Sequence, residues 1–525
     1  MEIKRLLCLI PALVLLLSCT DNDKKDGVLE RIPATADMVV VGNVNEIVAS
    51  AGGTVEKSAI RLPRGVMEHL GGSNAFELKK INRFLKNSHV SMDACALFVP
   101  DGEKRSVAVL SLTDRDFFSD AIKKLSYKKI KADSDMDIFV RKVSVAADGK
   151  QSSYNYIALK GSYAYVIENV ESDGKFSPME FLQKVYEDAR KKSFAGTGFG
   201  KYISGDCAIG MAVVNSAEVR NSLGKAGMPS AAMAMMGESV VCMRGKFLAN
   251  KCIVDMQVFD SEGNELSADR VAPFMDNSAT INLRALSFLD ERESLVYAFS
   301  LKDVEWDRMA DLIAEGSGLS RADRAQLNVV MSYLSQIDGT VAIGFGLNGG
   351  IGSALSLYMG NEPLSQFSAT IVAETKEGKA QRLLEDIKGL LEGMSVPFEE
   401  QDGQLSVNTA FMGIQGMLYA KCEGNVLVVA NHPVSGNNEN IFISEPEIGK
   451  SRLALYGKLL KDNKLSSDLN IKDDITFALY CRPGMLSASM IVEVGGDSAT
   501  DVKSGVIHKL LNITRKDETD SGILD

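Results

Sequence analysis

Apolar positions along the first half of the chain fall into short strand-sized runs, interrupted by stretches with helical spacing. Met38 to Val44 predicts a strand, followed by helical segments around 56 to 87 and strands at 93 to 99 and 105 to 112. Asp114 to Leu125 then places its apolar residues on one helical face behind an aspartate suited to cap it. Three further strands are expected near 137 to 145, 153 to 159 and 162 to 168, then a helix at 177 to 191 and a closing strand from Asp206 to Val214.

At an offset of about 260 residues the order returns. Ser294 to Ser300 leads into helices around 303 to 335, strands near 340 to 347 and 366 to 373, and a helix from Gly378 to Leu391. Strands near 404 to 408, 414 to 421 and 425 to 430 follow, then a helix at 447 to 461 and a closing strand from Asp474 to Tyr480. The nearest likeness is between the hairpins Tyr156 to Ile167 and Leu418 to Val429, each turning at a glycine, Gly161 or Gly424. Strands outnumber helices and run in hairpins, so the expected fold class is α+β: two duplicated units, each a largely antiparallel sheet covered by helices. The expected units are residues 31–265 and 280–496, with a polar C-terminal segment at 497–525.

The halves are expected to differ between the closing strand and its hairpin partner. The second half has Arg482-Pro483-Gly484 there, whereas the first carries Asn215 to Ser239. That insertion holds Met228, Met233, Met235 and Met236, flexible apolar side chains that suit either a short core helix or an adaptable partner surface.

The N-terminus reads differently. Residues 6 to 17 are apolar, follow Lys4 and Arg5, and end in Leu16-Leu17-Ser18-Cys19. The run falls short of the ~20 residues that span a bilayer, and Pro11 interrupts it. Residues 1–18 therefore read as a lipoprotein signal peptide, with Cys19 carrying the lipid. Two or three acyl chains, palmitate among them, at roughly 0.8 kcal/mol per buried CH₂ would make such an anchor permanent. Residues 19–30 open with the charge-dense stretch Thr20 to Gly27 and read as a solvated tether. Its acidic residues also resemble the export signals of Bacteroidetes surface lipoproteins.

Composition narrows the partners. A net charge of −11 argues against nucleic acid and against a basic patch for anionic headgroups. One tryptophan, Trp306, makes a long stacking platform for carbohydrate chains a poor expectation. The cysteines at 95, 207, 242, 252, 422 and 481 form no CxxC or Cys/His spacing and read as small buried hydrophobes, with Cys242 and Cys252 not directly opposite across their turn.

Recognisable chemical motifs are few. Four histidines, at 69, 89, 432 and 508, include no HExxH, and no GxSxG elbow is present, although a dispersed triad is a matter of space rather than sequence. Gly344 to Gly349 satisfies GxGxxG, but glycines follow where a helix should open, so it reads as a glycine-rich turn. Acidic clusters at Asp133 to Asp137 and Glu399 to Asp402 lack calcium-loop spacing and read as solvated loops. No metal or cofactor is expected. Asp497-Ser498-Ala499 resembles the short O-glycosylation acceptor of Bacteroidetes envelope proteins, which would place a glycan on Ser498.

The pattern from Ile32-Pro33-Ala34-Thr35-Ala36-Asp37 through the strand at Met38 to Val44 and on to Asn45, shortly after the lipidated cysteine, resembles the Bacteroidetes lipoproteins of domain of unknown function 4836. The resemblance covers nearly all of the mature chain. It implies lipid anchoring and an envelope location, and carries no activity or site residue other than Cys19. The expected protein is thus non-enzymatic, anchored through Cys19 in the outer membrane facing either the periplasm or outward, and a binder or scaffold for an envelope protein. A small-molecule or glycan module between the halves is the alternative, and a hydrolase with a dispersed site a third reading.

Overall fold

The computed structural model describes residues 22–512 apart from 70–77, 80, 87, 104, 131–135, 146–151, 172–175, 217–235, 318–320, 348–366, 413–414, 437, 463–465, 468–472 and 496–505. The chain divides into two compact units, one of Met1–Glu265 with Ser498–Asp525, the other Leu266–Asp497. Both are α+β with antiparallel sheets.

The first unit begins with helix α1 (Asn22–Leu29), strand β1 (Met38–Gly42) and helix α2 (Val44–Ser50). A small hairpin, β2 (Thr54–Glu56) and β3 (Ala59–Arg61), precedes α3 (Arg64–His69), at the start of the stretch around 56 to 87 where helical segments are expected. There follow β4 (Val90–Val99), β5 (Val107–Leu112), α4 (Arg115–Lys124), β6 (Lys128–Ile130), β7 (Asp137–Val145), β8 (Ser152–Lys160) and β9 (Tyr163–Glu171). Helices α5 (Pro178–Lys191) and α6 (Gly198–Ser204) lead to β10 (Ile209–Val214), β11 (Ser239–Phe247) and β12 (Lys251–Asp260). Among the described residues the strand order is β12-β11-β10-β1-β4-β5-β9-β8-β7-β6, antiparallel throughout.

Local chemistry sets the helix starts. Asp114 accepts a hydrogen bond from the Phe117 amide at 2.9 Å to cap α4. Ser177 caps α5 through the Glu180 amide, and Pro178 occupies the first turn, where its missing N–H costs nothing.

Both faces of this sheet are closed. One buries Val39, Val41, Phe98 and Tyr165 under α1, α5 and α6. The other buries Val40, Cys95, Ile157 and Leu159 under α2, α3 and α4, with Phe118 and Ile122 of α4 fully enclosed. The last described helix, which closes the C-terminal segment at Val506–Asn512, also joins this unit: Val506 is buried and Ile507 packs against the second core.

The second unit runs β13 (Leu295–Ser300), α7 (Trp306–Ser317), α8 (Arg321–Leu334), β14 (Ile337–Leu347), β15 (Phe367–Thr375), α9 (Lys379–Gly393), β16 (Phe398–Gln401), β17 (Gln404–Asn408), β18 (Met417–Glu423) and β19 (Val426–Ala430). A four-residue turn of helix, α10 (Pro446–Gly449), precedes β20 (Leu453–Leu459), β21 (Ile475–Cys481) and β22 (Ser487–Val494); α11 (Val506–Asn512) is the C-terminal helix of the first unit. The strand order is β22-β21-β20-β13-β14-β15-β19-β18-β17-β16. Its main core, with Val296, Ala342, Val372 and Tyr456, is closed by the irregular segment Ile281–Leu289 and by Phe442 and Ile448 rather than by a long helix. On the opposite face, α9 covers Leu405 and Ala420, and α7 and α8 form a small cluster of their own around Trp306, Ala310 and Met331.

Three expectations are corrected. Residues 22–29 of the expected 19–30 tether are helical and packed into the first unit, with Val28 and Leu29 buried. The expected helix at 447–461 is one short turn followed by β20, whose apolar run is a buried strand. Finally, the strand that flanks the first strand of the unit is β20 in the second half and β10 in the first. The connection placed like Asn215–Glu238 is therefore 460–474, not Arg482-Pro483-Gly484, which simply turns β21 into β22. Ser239 itself belongs to β11.

Candidate functional site

Cys19 and Ser498 lie outside the described residues, as do Met228, Met233 and Met235. Met236 is half-buried in the turn before β11. The cysteines at 95, 207, 242, 252, 422 and 481 are all free, and register places Cys252 opposite Phe247 and Cys242 opposite Gln257. Burial pushes the Cys95 and Cys242 thiols far above the ordinary range, so neither is a nucleophile. The acidic clusters are not solvated loops throughout. Asp137 stands in β7 paired with Arg115 at 3.0 Å and Lys129 at 2.7 Å, and Glu399 and Glu400 stand in β16.

The densest polar arrangement lies in the second unit, and sequence reading did not single it out. Glu293, 1% exposed, sits in the loop before β13. Its Oε1 accepts from the Thr370 hydroxyl at 2.7 Å and the Ser368 hydroxyl at 3.4 Å, both on β15, and its Oε2 accepts from the Asp290 amide at 3.1 Å. His432, just past β19, places Nε2 3.0 Å from Thr370 Oγ1 and Nδ1 3.2 Å from the Pro433 carbonyl. Asp290 Oδ2 lies 3.5 Å from Nδ1 and is itself gripped by Arg292 through bonds of 2.6 and 3.0 Å.

Glycine makes room for this carboxylate. A Cβ on Gly344 would collide with Glu293 Oε2, and one on Gly346 with the Arg292 carbonyl. The GxGxxG run is therefore not a turn at these two positions; Gly344 and Gly346 lie in β14 as small residues over which the 290–293 loop is laid.

Thr370, His432 and Asp290 have the spacing of a hydroxyl, imidazole and carboxylate triad, but the protons run the other way. The Thr370 hydroxyl donates to Glu293, so its oxygen receives a proton from Nε2. The Pro433 carbonyl can only accept, so Nδ1 also carries a proton. With a hydroxyl that donates elsewhere on one side and a carbonyl on the other, both ring nitrogens are placed to donate, an arrangement that favours the protonated imidazole. Burial opposes that charge, but the Glu293 carboxylate, the Pro433 carbonyl and the Asp290 charge overcome it and hold the His432 pKa above its ordinary value. Burial likewise opposes the Asp290 anion, and hydrogen bonds from Arg292 lower its pKa regardless. A nucleophile needs a neutral imidazole that accepts from the hydroxyl. The ring belongs to an ionic cluster that joins the 290–293 loop, β15 and the end of β19.

The first unit has a smaller counterpart at its N-terminus. Lys25 of α1, 1% exposed, donates to the Cys207 carbonyl and to the Gly205 carbonyl at 3.4 Å, with Cys207 Sγ at 3.8 Å. Its charge works against the burial that raises the Glu46 pKa. Close by, Arg31 stacks over the Tyr163 ring at 4.7 Å, and a Cβ on Gly27 would meet the Tyr163 hydroxyl at 2.9 Å. The signal for this docking was in the sequence: Lys25, Val28, Leu29 and Ile32 follow helical spacing, with a lysine as the first member of the stripe.

Among the described residues, no group of three or more His, Cys, Asp or Glu is placed to hold a metal ion, and no helix is long and apolar enough to cross a membrane. No family model matches the chain, and no curated protein matches it. A solved structure described as crystal form IV of TP0453 is similar at 13% identity over 44% of this chain and 79% of that one, with a TM-score of 0.26, too low to argue from.

Proposed function

We propose that this chain is a lipid-anchored outer-membrane protein that binds or scaffolds an envelope partner without catalysing a reaction, and that its two halves are copies of one ten-stranded α+β unit. The duplication is supported by strand order. Reading β12 to β6 beside β22 to β16, each strand of one unit has a counterpart at the same place and in the same chain sequence in the other. Membership of the domain of unknown function 4836 lipoproteins rests on the pattern from Ile32 to Asn45.

The observation that carries the non-catalytic reading is the direction of the Thr370 hydroxyl. The hydroxyl lies 2.7 Å from the buried Glu293 carboxylate, which can take its proton in a hydrogen bond, and on this reading the group with triad-like spacing works as an internal brace. Growth of cells with an alkyne-bearing fatty acid tests the anchor: the native chain takes up label and sediments with membranes, and Cys19→Ala does neither. Label retained by Cys19→Ala would overturn it. Cross-linking in living cells followed by mass spectrometry tests the binding role, with a recurrent envelope protein as the expected capture.

A further inference from the structure

Among the described residues, the sheet of the second unit leaves much of one face uncovered, with α9 over its β16–β19 end. Register aligns Met490, Leu479, Leu455, Tyr297, Ile343 and Ile371 in a single row across β22, β21, β20, β13, β14 and β15. The next row on the same face runs from Val492 through Phe477 to Ala369, and the row on the other side from Ala488 through Phe299 to Ala373. These eighteen positions include no charged residue and no Ser, Thr, Asn or Gln. The side chains are ordered against one another. Phe477 lies over Gly457, where a Cβ would strike its ring, and the Tyr297 and Phe299 rings are 5.2 Å apart. Yet Tyr297 is 39%, Ile343 42% and Ile371 48% exposed. On the like-placed face of the first unit, Val40 of β1 is 2% exposed beneath α2.

We propose that this face is where two copies of the chain pair, sheet against sheet about a twofold axis. The inference rests on the scaffold reading above and names a second copy as one of its partners. Six strands at ~4.8 Å and three alternate positions at ~6.8 Å make a patch of about 29 by about 20 Å. Its flat projection is on the order of 600 Å², and with Gly457, Val341 and Ala373 buried the open part lies within the upper range of what monomers expose and, once corrugated, approaches the ~800 Å² per partner of a stable complex. A face without charge asks for no charge in its partner, so its own copy is a complement, and packed sheets meet at about 10 Å with interdigitated side chains. A bilayer is the poorer occupant, because the rows carry no lysine or arginine and the whole chain has a net charge of −11. Helices α7 and α8 are already packed on each other around Trp306 and Met331.

The test uses the full lipid-anchored chain in intact cells and a bismaleimide spanning ~10 Å, the sheet-to-sheet distance. In a background carrying Cys481→Ala, which removes the native thiol of this face, Ile343→Cys and Leu455→Cys are expected to give a band of twice the chain mass, and Leu390→Cys, exposed on α9, to give none. Adding Ile343→Lys to Leu455→Cys should abolish the band; thermal melting of that variant separates lost pairing from lost folding. Monomer alone, an adduct of some other mass, or a doubled band that survives a folded Ile343→Lys variant each overturns the proposal. Fatty-acid labelling of the same cells is read separately, so failure of the anchor and failure of pairing are distinguishable.

Discussion

The two units arrange their strands in the same order and clothe them differently. In the first, the segment between β1 and β4 folds α2 and α3 onto the sheet and, with α4 and the C-terminal helix, closes a second core. In the second, the segment between β13 and β14 keeps α7 and α8 to themselves, and the sheet beneath has α9 over one end and an apolar surface over the rest. Strand order thus fixes where a connection departs and returns, whereas the side chains of the connection decide whether it covers the face. Val44 and Val48 of α2 point into the sheet core; Val329, Val330 and Tyr333 of α8 are exposed.

Breaking the brace of the second unit should have the largest effect. Glu293→Ala leaves a buried imidazolium with a missing counter-charge and strands the Thr370 and Ser368 hydroxyls, so a loss of roughly 3–5 kcal/mol is expected from chemical denaturation. The contrast between faces comes next. Phe118→Ala, in the covered core, should cost about 3–4 kcal/mol, whereas Ile343→Ala, on the bare face, should cost about 1 kcal/mol or less in the separated chain. Equal losses would mean the second face is covered after all. Lys25→Ala should destabilise the first unit by about 1–3 kcal/mol, because the buried Cys207 carbonyl and the part-buried Gly205 carbonyl lose their donor, and should expose α1 to limited proteolysis.

The smallest effect is one of pH, and it separates the units. The His432 pKa is raised on folding, so its stabilisation is fully present below the ordinary histidine value near 6.5 and is lost as pH rises through the raised value. Melting curves from pH 6 to pH 9 should therefore show the native chain losing its advantage over His432→Gln. An advantage that grows with pH would contradict a cationic ring.

Much of the strand pattern was legible because hairpins carry their own signals. Gly161 and Gly424 adopt φ of 57° and 61°, as tight turns between alternating strands require. Residues 447–461 misled because Leu453 to Tyr456 is a continuous apolar run with no alternation to identify a central strand. The slip of one strand at the end of each half followed from that error. The tether misled because Lys25 carries charge into a buried place, where its head meets carbonyls of a loop 180 residues away in sequence. The ionic cluster was invisible for a related reason: residues 290, 293, 370 and 432 meet only after β13, β15 and β19 have assembled. Gly344 and Gly346 were noticed for the wrong chemistry, since a strand glycine under a carboxylate and a phosphate-loop glycine look alike in one dimension.

The helix at Asn22–Leu29 sets a length as well as a contact. Two residues, Thr20 and Asp21, separate Cys19 from its first turn, so three steps reach Asn22, and a fully extended chain advances at most ~3.6 Å per step. An acyl group on Cys19 would therefore hold the seated helix within about 10 Å of the headgroups, giving the protein a fixed standoff and a restricted tilt.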